Sequence, residues 1–280
     1  MRIIKKEQIS DCIRDLFIKA NTLLPPDCES LIYQARDAER DSFSKNLLGV
    51  ICKNLECAKE KELPICQDTG MAVVFADVGI DVKLDCPLCD SVNDGVARAY
   101  LDGCLRKSVV SDPLFLRENT GDNTPAILHT NLVPGDKITF QVAPKGFGSE
   151  NMSAIKMFSP SINEDDIVAF VVDTVKNAGA NPCPPVLIGI GIGGDFEYCA
   201  ELSKRALLRD VSKRNENVKY RQLEERILGE VNKLNIGTQG VGGNITALEV
   251  NIEFAPTHIA SVPCAVNISC HVMRHASAVI

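Results

Sequence analysis

The sequence predicts a mixed α/β fold, in which a helical amino-terminal segment packs with a mixed β-sheet flanked by helices. Apolar residues recur at helical spacing through about the first sixty residues, and from Gly70 to Ile80 that spacing shortens to the two-residue period of a strand. Strands and helices are then interleaved without a strict βαβ rhythm, which favours a mixed sheet over a purely parallel one. With 280 residues, 45% of them hydrophobic, the chain can bury a substantial core. We therefore expect residues 1–280 to form a single domain, with residues 1–60 largely helical.

The first elements are amphipathic helices. Charged residues separate the apolar ones in "MRIIKKEQISDCIRDLFIKANTLL" and in "DCESLIYQARDAERDSFSKNLLGVICKNLECAKEK". This pattern differs from the unbroken apolar core of a signal peptide. No apolar run approaches the roughly 20 residues that span a bilayer. The sequence therefore predicts a cytoplasmic protein with no membrane association.

Strands are predicted in "GMAVVFADVGI", "AILHTNLV", "KITFQVAP", "PPVLIGIGIGG" and "ITALEVNIEFAP". The helical period returns in "VNDGVARAYLDGCLRK", "NEDDIVAFVVDTVKNAGA" and "DFEYCAELSKRALLRD". The second of these helices has Asn163 as a cap, acidic residues in its first turn and Gly179 beyond its end. The stretch "KRNENVKYRQLEER", residues 213–226, mixes both signs of charge and is typical of a solvated helix face.

Composition excludes some classes of function. The net charge of −7 disfavours binding to nucleic acid, which requires a basic surface for the phosphates. Twelve cysteines in a cytoplasmic chain indicate buried thiols, metal ligands or reactive groups rather than disulfides.

Two local motifs offer alternatives. Gly189, Gly191 and Gly194 have the G-x-G-x-x-G spacing of a dinucleotide site between a strand and a helix, but no second strand ending in an acidic residue follows about 20 residues later. We favour close strand–helix packing there. Cys86 and Cys89 resemble half of a zinc site, but no matching second pair of ligands is present, so two loop thiols are the simpler interpretation.

Three other cysteines lie at joints between predicted elements: Cys66 in "PICQDTG", Cys183 in "NPCPP" and Cys270 in "NISCHVMRH". They are 117 and 87 residues apart, too far for a local motif. If the fold brought them together, three thiolates could hold an iron–sulfur cubane with one iron open to a substrate oxygen. Such an iron would suit elimination of water from a hydroxy acid.

Five long segments carry a family resemblance. They are "PICQDTGMAVVF", "DPLFLRENTGDNTPA", "PKGFGSENMS", "GIGIGGDFEYCAELSKRALLR" and "IGTQGVGGNITALEVNIEFAPTHIASVPCAVNISCHVMRHASAVI". In this order they resemble the amino-terminal half of class I fumarases, the iron–sulfur hydro-lyases, and the related L(+)-tartrate dehydratases. The resemblance runs from about residue 40 to the end of the sequence, which looks like a separate alpha subunit.

The resemblance implies a [4Fe-4S] cluster held by Cys66, Cys183 and Cys270. It implies substrate contacts from Gln67, Asp68, Arg106 and Gly148, with Asp68 also catalytic. His258, twelve residues before the last cysteine, is expected in an acid/base or polar-network role. The family motif "KGGGSEN" reads "KGFGSEN" here, so Phe147 replaces a glycine and leaves the path of that loop open.

The function implied is reversible hydration of fumarate to L-malate, a step of the tricarboxylic acid cycle. The resemblance also implies a beta subunit that carries the catalytic base, an alpha2beta2 or similar heteromer, and no activity for this chain alone. L(+)-tartrate dehydratase is the alternative, because the motifs do not separate the two dicarboxylate substrates. A cluster-binding redox sensor is a further alternative, although a sensor has no need of Gln67, Asp68 and Arg106.

Overall fold

A computed structural model describes residues 2–280. The helices, in chain order, are α1 (Lys6–Thr22), α2 (Pro26–Ala38), α3 (Ser42–Lys61), α4 (Leu88–Asp102), α5 (Phe147–Glu150), α6 (Glu164–Ala178), α7 (Phe196–Ala206) and α8 (Val218–Asn232), with a short 3-10 helix at Thr238–Gly240. The strands are β1 (Arg2–Ile4), β2 (Met71–Gly79), β3 (Val82–Leu84), β4 (Ile127–Val133), β5 (Ile138–Lys145), β6 (Ala154–Phe158), β7 (Val186–Gly194), β8 (Ala247–Thr257), β9 (Val262–Ser269) and β10 (Ala276–Val279). The predicted mixed α/β fold and its helical amino-terminal segment are confirmed.

The contacts divide the chain into two compact units. The first, called unit 1 below, comprises Met1–Pro25, Leu55–Phe147 and Arg274–Ile280, and the second, unit 2, comprises Pro26–Asn54 and Gly148–Met273. Each contains one four-stranded mixed sheet, where the sequence analysis predicted one mixed sheet for the whole chain. A single domain over residues 1–280 stays a prediction.

Unit 1 is built on a sheet with the strand order β10-β5-β2-β4. Strand β2 pairs with β4 in parallel and with β5 in antiparallel orientation, so it lies between these two strands. Helices α1 and α4 pack together, and α1 also contacts β5 and β10. The buried residues Phe17, Tyr100 and Phe140 belong to one hydrophobic cluster there. Strands β1 and β3 form a separate parallel pair, and neither was predicted.

Unit 2 is built on a sheet with the strand order β6-β9-β7-β8. Strand β7 is parallel to β8 and antiparallel to β9. Alternate residues of β7 point to opposite faces. Ile188 and Ile190 join a core with residues of α6 and α8, whereas Gly189 and Gly191 face α7. The helices therefore cover both faces of the sheet.

Close packing explains the glycines of "GIGIGG". A Cβ atom on Gly189 would lie 2.1 Å from the carbonyl oxygen of Ser203, and one on Gly191 would lie 2.0 Å from that of Cys199. Both carbonyls belong to α7. Only glycine allows this helix to approach the strand so closely.

Helix α6 has the predicted ends. The side chain of Asn163 accepts hydrogen bonds from the amides of Asp165 and Asp166, and Gly179 follows the helix with a φ of 56°. Most of residues 213–226 are exposed, as predicted for a solvated helix face, but Leu223 and Glu224 of α8 are buried. Arg209 makes an ion pair with Glu224, which gives the buried carboxylate a partner. Within residues 2–280, no helix is both long and apolar enough to cross a bilayer.

Candidate functional site

The turn that carries Cys66, Gln67 and Asp68 lies in unit 1 between α3 and β2. The amide of Ile65, just before it, donates to the backbone oxygen of Asn21 at 2.9 Å. The buried Arg274 donates to the carbonyl oxygen of Asp68 at 2.7 Å and to Oδ1 of Asn21 at 3.1 Å. Helix α1 and the segment before β10 therefore hold the turn from both sides of Cys66.

The end of this turn is buried and fully hydrogen-bonded. The Tyr100 hydroxyl lies 2.7 Å from the carbonyl oxygen of Gly70 and 3.0 Å from that of Thr69, and Nδ2 of Asn123 donates to the Gly70 carbonyl at 3.1 Å. Burial raises the pKa of Tyr100, so it stays a neutral donor. Gly70 has a φ of 79°, and a Cβ atom there would lie 2.7 Å from the backbone nitrogen of Lys145. The backbone conformation and this close approach therefore require glycine at position 70.

The carboxylate of Asp68 joins two loops of unit 1. Its Oδ1 accepts the amide of Gly70 at 3.0 Å and its Oδ2 accepts the amide of Phe147 at 3.1 Å. Phe147 begins α5 with an exposed ring, so this path of the "KGFGSEN" loop accommodates a side chain in place of glycine. Asp68 therefore has a structural role in addition to the substrate role predicted from the sequence.

Arg106 is attached to the same turn by its backbone. Its amide donates to Oγ1 of Thr69 at 2.9 Å, and that hydroxyl donates to the Arg106 carbonyl at 3.1 Å. Its side chain is exposed and, in the part of the chain that the structure describes, has no ion-pair partner. The guanidinium is thus available to an anion such as a carboxylate.

Cys183 and Cys270 lie at one end of the sheet in unit 2. Cys183 precedes β7, Cys270 follows β9, and the two strands pair at Leu187 and Ser269. Nδ1 of His271 lies 2.9 Å from the carbonyl oxygen of Cys183, which can only accept, so His271 is the donor. The structure therefore brings these two cysteine segments into contact.

The loop that carries Gly148 lies beside the Cys183 segment. A Cβ atom on Gly148 would lie 3.5 Å from the carbonyl oxygen of Asn181. Glu150, two residues later, makes an ion pair with Lys204 and accepts a hydrogen bond from Nδ2 of Asn267 at 3.1 Å. These contacts fix the "GSEN" loop to α7 and β9.

His258 lies at the opposite end of the same sheet. It follows β8 and precedes β9, so the whole of β9, whose eight residues span about 26 Å, lies between it and Cys270. Its Nδ1 accepts the amide of Ala260 at 3.1 Å, and its surroundings include Asp195 and Tyr198. Within unit 2 the structure does not bring His258 to Cys183 and Cys270, and its acid/base role stays a prediction.

The cysteines differ in their fitness as metal ligands. Burial raises the pKa of Cys28, Cys199 and Cys264, the last to about 12, so these thiols remain protonated and behave as small apolar groups. Cys66 and Cys270 are half-buried and Cys183 is exposed, and all three lie in loops and are not joined in a disulfide. Cys89, of the "CPLC" pair, is an exposed thiol in the first turn of α4.

The predicted cluster ligands come from both units, Cys66 from unit 1 and Cys183 and Cys270 from unit 2. Neither unit, over residues 2–280, groups three or more His, Cys, Asp or Glu side chains that could hold a metal ion by themselves. The role of the three cysteines as ligands therefore stays a prediction.

Several residues that hold these loops were not singled out from the sequence. Tyr100, Asn123 and Arg274 converge on the Cys66 turn, and Gln239 contacts the Cys183 segment. A buried polar side chain carries no local sequence signal, because its partner is distant in the chain. The one available signal is that Asn123, Gln239 and Arg274 lie within the five family-like segments, whereas Tyr100 does not.

Comparisons with known proteins identify the family of the chain. A family model described as fumarate hydratase (fumerase) matches residues 10–279. A Methanocaldococcus jannaschii protein named "Putative L(+)-tartrate dehydratase subunit alpha" is 39% identical over 275 residues, which cover 96% of each chain. The proteins named L(+)-tartrate dehydratase subunit alpha from Escherichia coli O157:H7 and strain K12 are each 30% identical over 269 residues, which cover 95% of this chain and 89% of theirs. Because the family model and these relatives match nearly the whole sequence, the chain belongs to the fumarate hydratase family.

Proposed function

We propose that this chain is the alpha subunit of an iron–sulfur hydro-lyase that reversibly hydrates fumarate to L-malate. The observation that carries the proposal is the attachment of Arg106 to the Cys66 turn through Thr69. Through this attachment, an exposed cation that has no ion-pair partner among residues 2–280 lies on the same turn as a half-buried thiol and the Gln67 amide. A dicarboxylate needs a cation of this kind, whereas a purely structural turn does not.

The proposed cofactor is a [4Fe-4S] cluster held by Cys66, Cys183 and Cys270. The donor set fits, since thiolates are the usual ligands of such clusters and these three cysteines, none of them in a disulfide, lie in loops rather than in the core. When bound, the cluster would supply a Lewis-acidic iron that polarises the substrate hydroxyl as a leaving group.

The chain's own side chains would bind and orient the substrate. Arg106 would pair with one carboxylate through two parallel N–H donors, and the exposed Gln67 amide would add a neutral hydrogen bond. Asp68 keeps lone pairs beyond those used by Gly70 and Phe147, so it could accept a substrate or water proton without releasing the turn. Gly148 would allow close approach of the backbone, and His258 would act as an acid/base or polar-network residue.

We further propose a beta subunit that carries the catalytic base, in an alpha2beta2 or similar heteromer. Supporting this, the curated relatives are named as alpha subunits. Fumarate hydration would place the enzyme in the tricarboxylic acid cycle, and the twelve cysteines suit a reducing cytoplasm.

The test is anaerobic purification of the tagged chain with whatever subunit accompanies it in its native cell. We expect bound iron and sulfide together with fumarate hydratase activity. Cys66→Ser, Cys183→Ser and Cys270→Ser should each lower the iron content, whereas Cys89→Ser, at an exposed thiol of α4, should retain it. Equal iron in all four variants, or no activity on any hydroxy dicarboxylate, would contradict the proposal.

L(+)-tartrate dehydratase is the second candidate, and the names of the curated relatives favour it. Tartrate carries one hydroxyl more than malate, so relative kcat/KM values on the two acids decide between them. A cluster that responds to oxidants without turnover of either acid would indicate the redox sensor instead.

A further inference from the structure

Gln239 connects the loop of residues 236–246 to the Cys183 segment. Both the backbone amide and Nε2 of Gln239 donate to the carbonyl oxygen of Pro184, at 2.7 Å and 3.0 Å. The neighbouring carbonyl, that of Cys183, accepts from Nδ1 of His271 at 2.9 Å. Gln239 and the residue after Cys270 thus hold consecutive carbonyls of the same segment.

Gln239 also lies against His271 itself, with 3.5 Å between Nε2 of the amide and Nδ1 of the ring. Because Nδ1 of His271 donates its hydrogen to the Cys183 carbonyl, it does not accept one from Gln239. The Gln239 amide therefore donates to the Pro184 carbonyl and only packs beside the His271 imidazole. The Gln239 side chain is therefore in contact with a residue adjacent to Cys183 and with a residue adjacent to Cys270.

The conformation of Gln239 is unusual and is imposed by its surroundings. Its φ of 55° lies in the left-handed region, which is costly for a residue with a side chain. Next to it, Gly240 leaves room for Ala180, since a Cβ atom on Gly240 would lie 2.4 Å from that of Ala180. The loop is thus pressed against the chain segment that leads into Cys183.

A buried carboxylate anchors the other side of the loop. Glu39, 3% exposed, accepts hydrogen bonds from the backbone amides of four residues: Arg40, Asp41, Asn244 and Ile245. Ser44 lies 3.3 Å from Oε2 of Glu39 and donates through its hydroxyl to Oγ1 of Thr238 at 2.8 Å. Glu39 therefore holds the loop on both sides of Gln239.

We propose that Gln239 is a positioning residue that keeps the Cys183 and Cys270 segments in register for the cluster. This inference rests on the cofactor assigned under the proposed function. The hydrogen bonds that Gln239 donates go to the Pro184 carbonyl oxygen. Gln239 acts through Pro184 and His271. Because Glu39 anchors the loop, the position of Gln239 does not depend on the cofactor.

Three variants and a matched control test this role. Gln239→Asn keeps a residue that tolerates the left-handed region but shortens the side chain, and Gln239→Glu keeps its length but replaces the donor that faces the Pro184 carbonyl. Glu39→Gln replaces the carboxylate with a neutral amide and so weakens the hydrogen bonds that hold the loop of residues 236–246. Gln34→Asn alters an exposed glutamine of α2 whose one side-chain hydrogen bond, to Ser30, is local.

The first measurement is hydrogen–deuterium exchange of the full chain without cluster, read at peptides covering residues 178–190 and 267–275. We expect faster exchange in the three variants than in the wild type and in Gln34→Asn. The second is the rate of iron and sulfide loss in air after anaerobic reconstitution, which we expect to rise about 10-fold in both Gln239 variants.

Unchanged exchange in the Gln239 variants would overturn the proposal. So would faster exchange with wild-type retention of iron, because Gln239 would then order the loop without serving the cofactor. If the wild type itself bound no iron, the proposed function would fail, whereas the exchange data would still decide whether Gln239 holds the two segments together.

Discussion

Thr69 and Arg106 exchange two hydrogen bonds: the Arg106 amide donates to Oγ1 of Thr69 at 2.9 Å, and the hydroxyl donates to the Arg106 carbonyl at 3.1 Å. Thr69 is buried directly after the Cys66, Gln67 and Asp68 turn. The candidate carboxylate-binding cation is therefore fixed by its backbone, while its side chain stays exposed.

Thr69→Val should weaken substrate binding without removing any substrate-contacting group. Valine fills the space but leaves the Arg106 amide and carbonyl without their partner, at a cost of about 1–3 kcal/mol. We expect a several-fold rise in KM for the dicarboxylate, measured on the chain assembled with its partner subunit. Thr139→Val, at an exposed position of β5, serves as the control and should have wild-type KM. An identical KM in both variants would contradict the positioning role.

Arg106→Ala should lower kcat/KM by about 10- to 100-fold, which corresponds to the 1.5–3 kcal/mol of hydrogen bonds to a charged group. Arg106→Lys should recover part of it, because lysine keeps the charge but not the bidentate geometry. Arg36→Ala, which removes a cation of α2 paired with its neighbour Asp37, should leave kcat/KM unchanged. Wild-type kcat/KM in Arg106→Ala would show that the substrate carboxylates are bound elsewhere.

Glu39→Gln should destabilise the chain in a pH-dependent manner. Burial by itself raises the pKa of this carboxyl, but the backbone amides that donate to it outweigh burial and lower the pKa below its usual 4.5. Ionised Glu39 therefore stabilises the folded chain above about pH 4.5, and this contribution is lost as the pH falls through the lowered pKa.

The measurement is the free energy of unfolding in urea as a function of pH. We expect Glu39→Gln to lose about 1–3 kcal/mol at neutral pH, and the difference from the wild type to narrow below pH 4.5. Glu60→Gln, at an exposed position of α3, should show no such difference. A difference that stayed constant with pH would exclude ionisation of Glu39 as its source.

Gly191→Ala should destabilise unit 2, because the added methyl group would lie 2.0 Å from the Cys199 carbonyl oxygen. Overpacking of this kind costs about 1–3 kcal/mol or more. Gly229→Ala in α8 meets nothing within 4 Å and should instead stabilise by about 0.5–1 kcal/mol. The unfolding temperatures of Gly191→Ala and Gly229→Ala test these two expectations.

A titration with nicotinamide dinucleotide tests the dinucleotide alternative for the glycines of "GIGIGG". Saturable binding to the wild type would support that alternative.

The local pattern predicted most elements correctly. Helix α6 has its Asn163 cap and its Gly179 end, and β7 is the buried apolar strand that its sequence indicates. These features depend on residues within a few positions of one another, so they are readable from the sequence. The order of strands in the sheet is not readable from the sequence. Strand β2 lies between β4 and β5, although a short turn joins β4 to β5.

The same distinction between local sequence patterns and long-range packing applies to the candidate site. The sequence determined the mixed α/β class, the family and the identity of the residues proposed for the site, because these follow from residue types in a fixed order. Only the tertiary structure decided that Arg274 and Asn21 hold the Cys66 turn, that Gln239 and His271 hold the Cys183 segment, and that His258 lies at the far end of its sheet. These relationships join residues up to 253 positions apart, and hydrogen bonds over such separations depend on how the elements pack rather than on any local pattern.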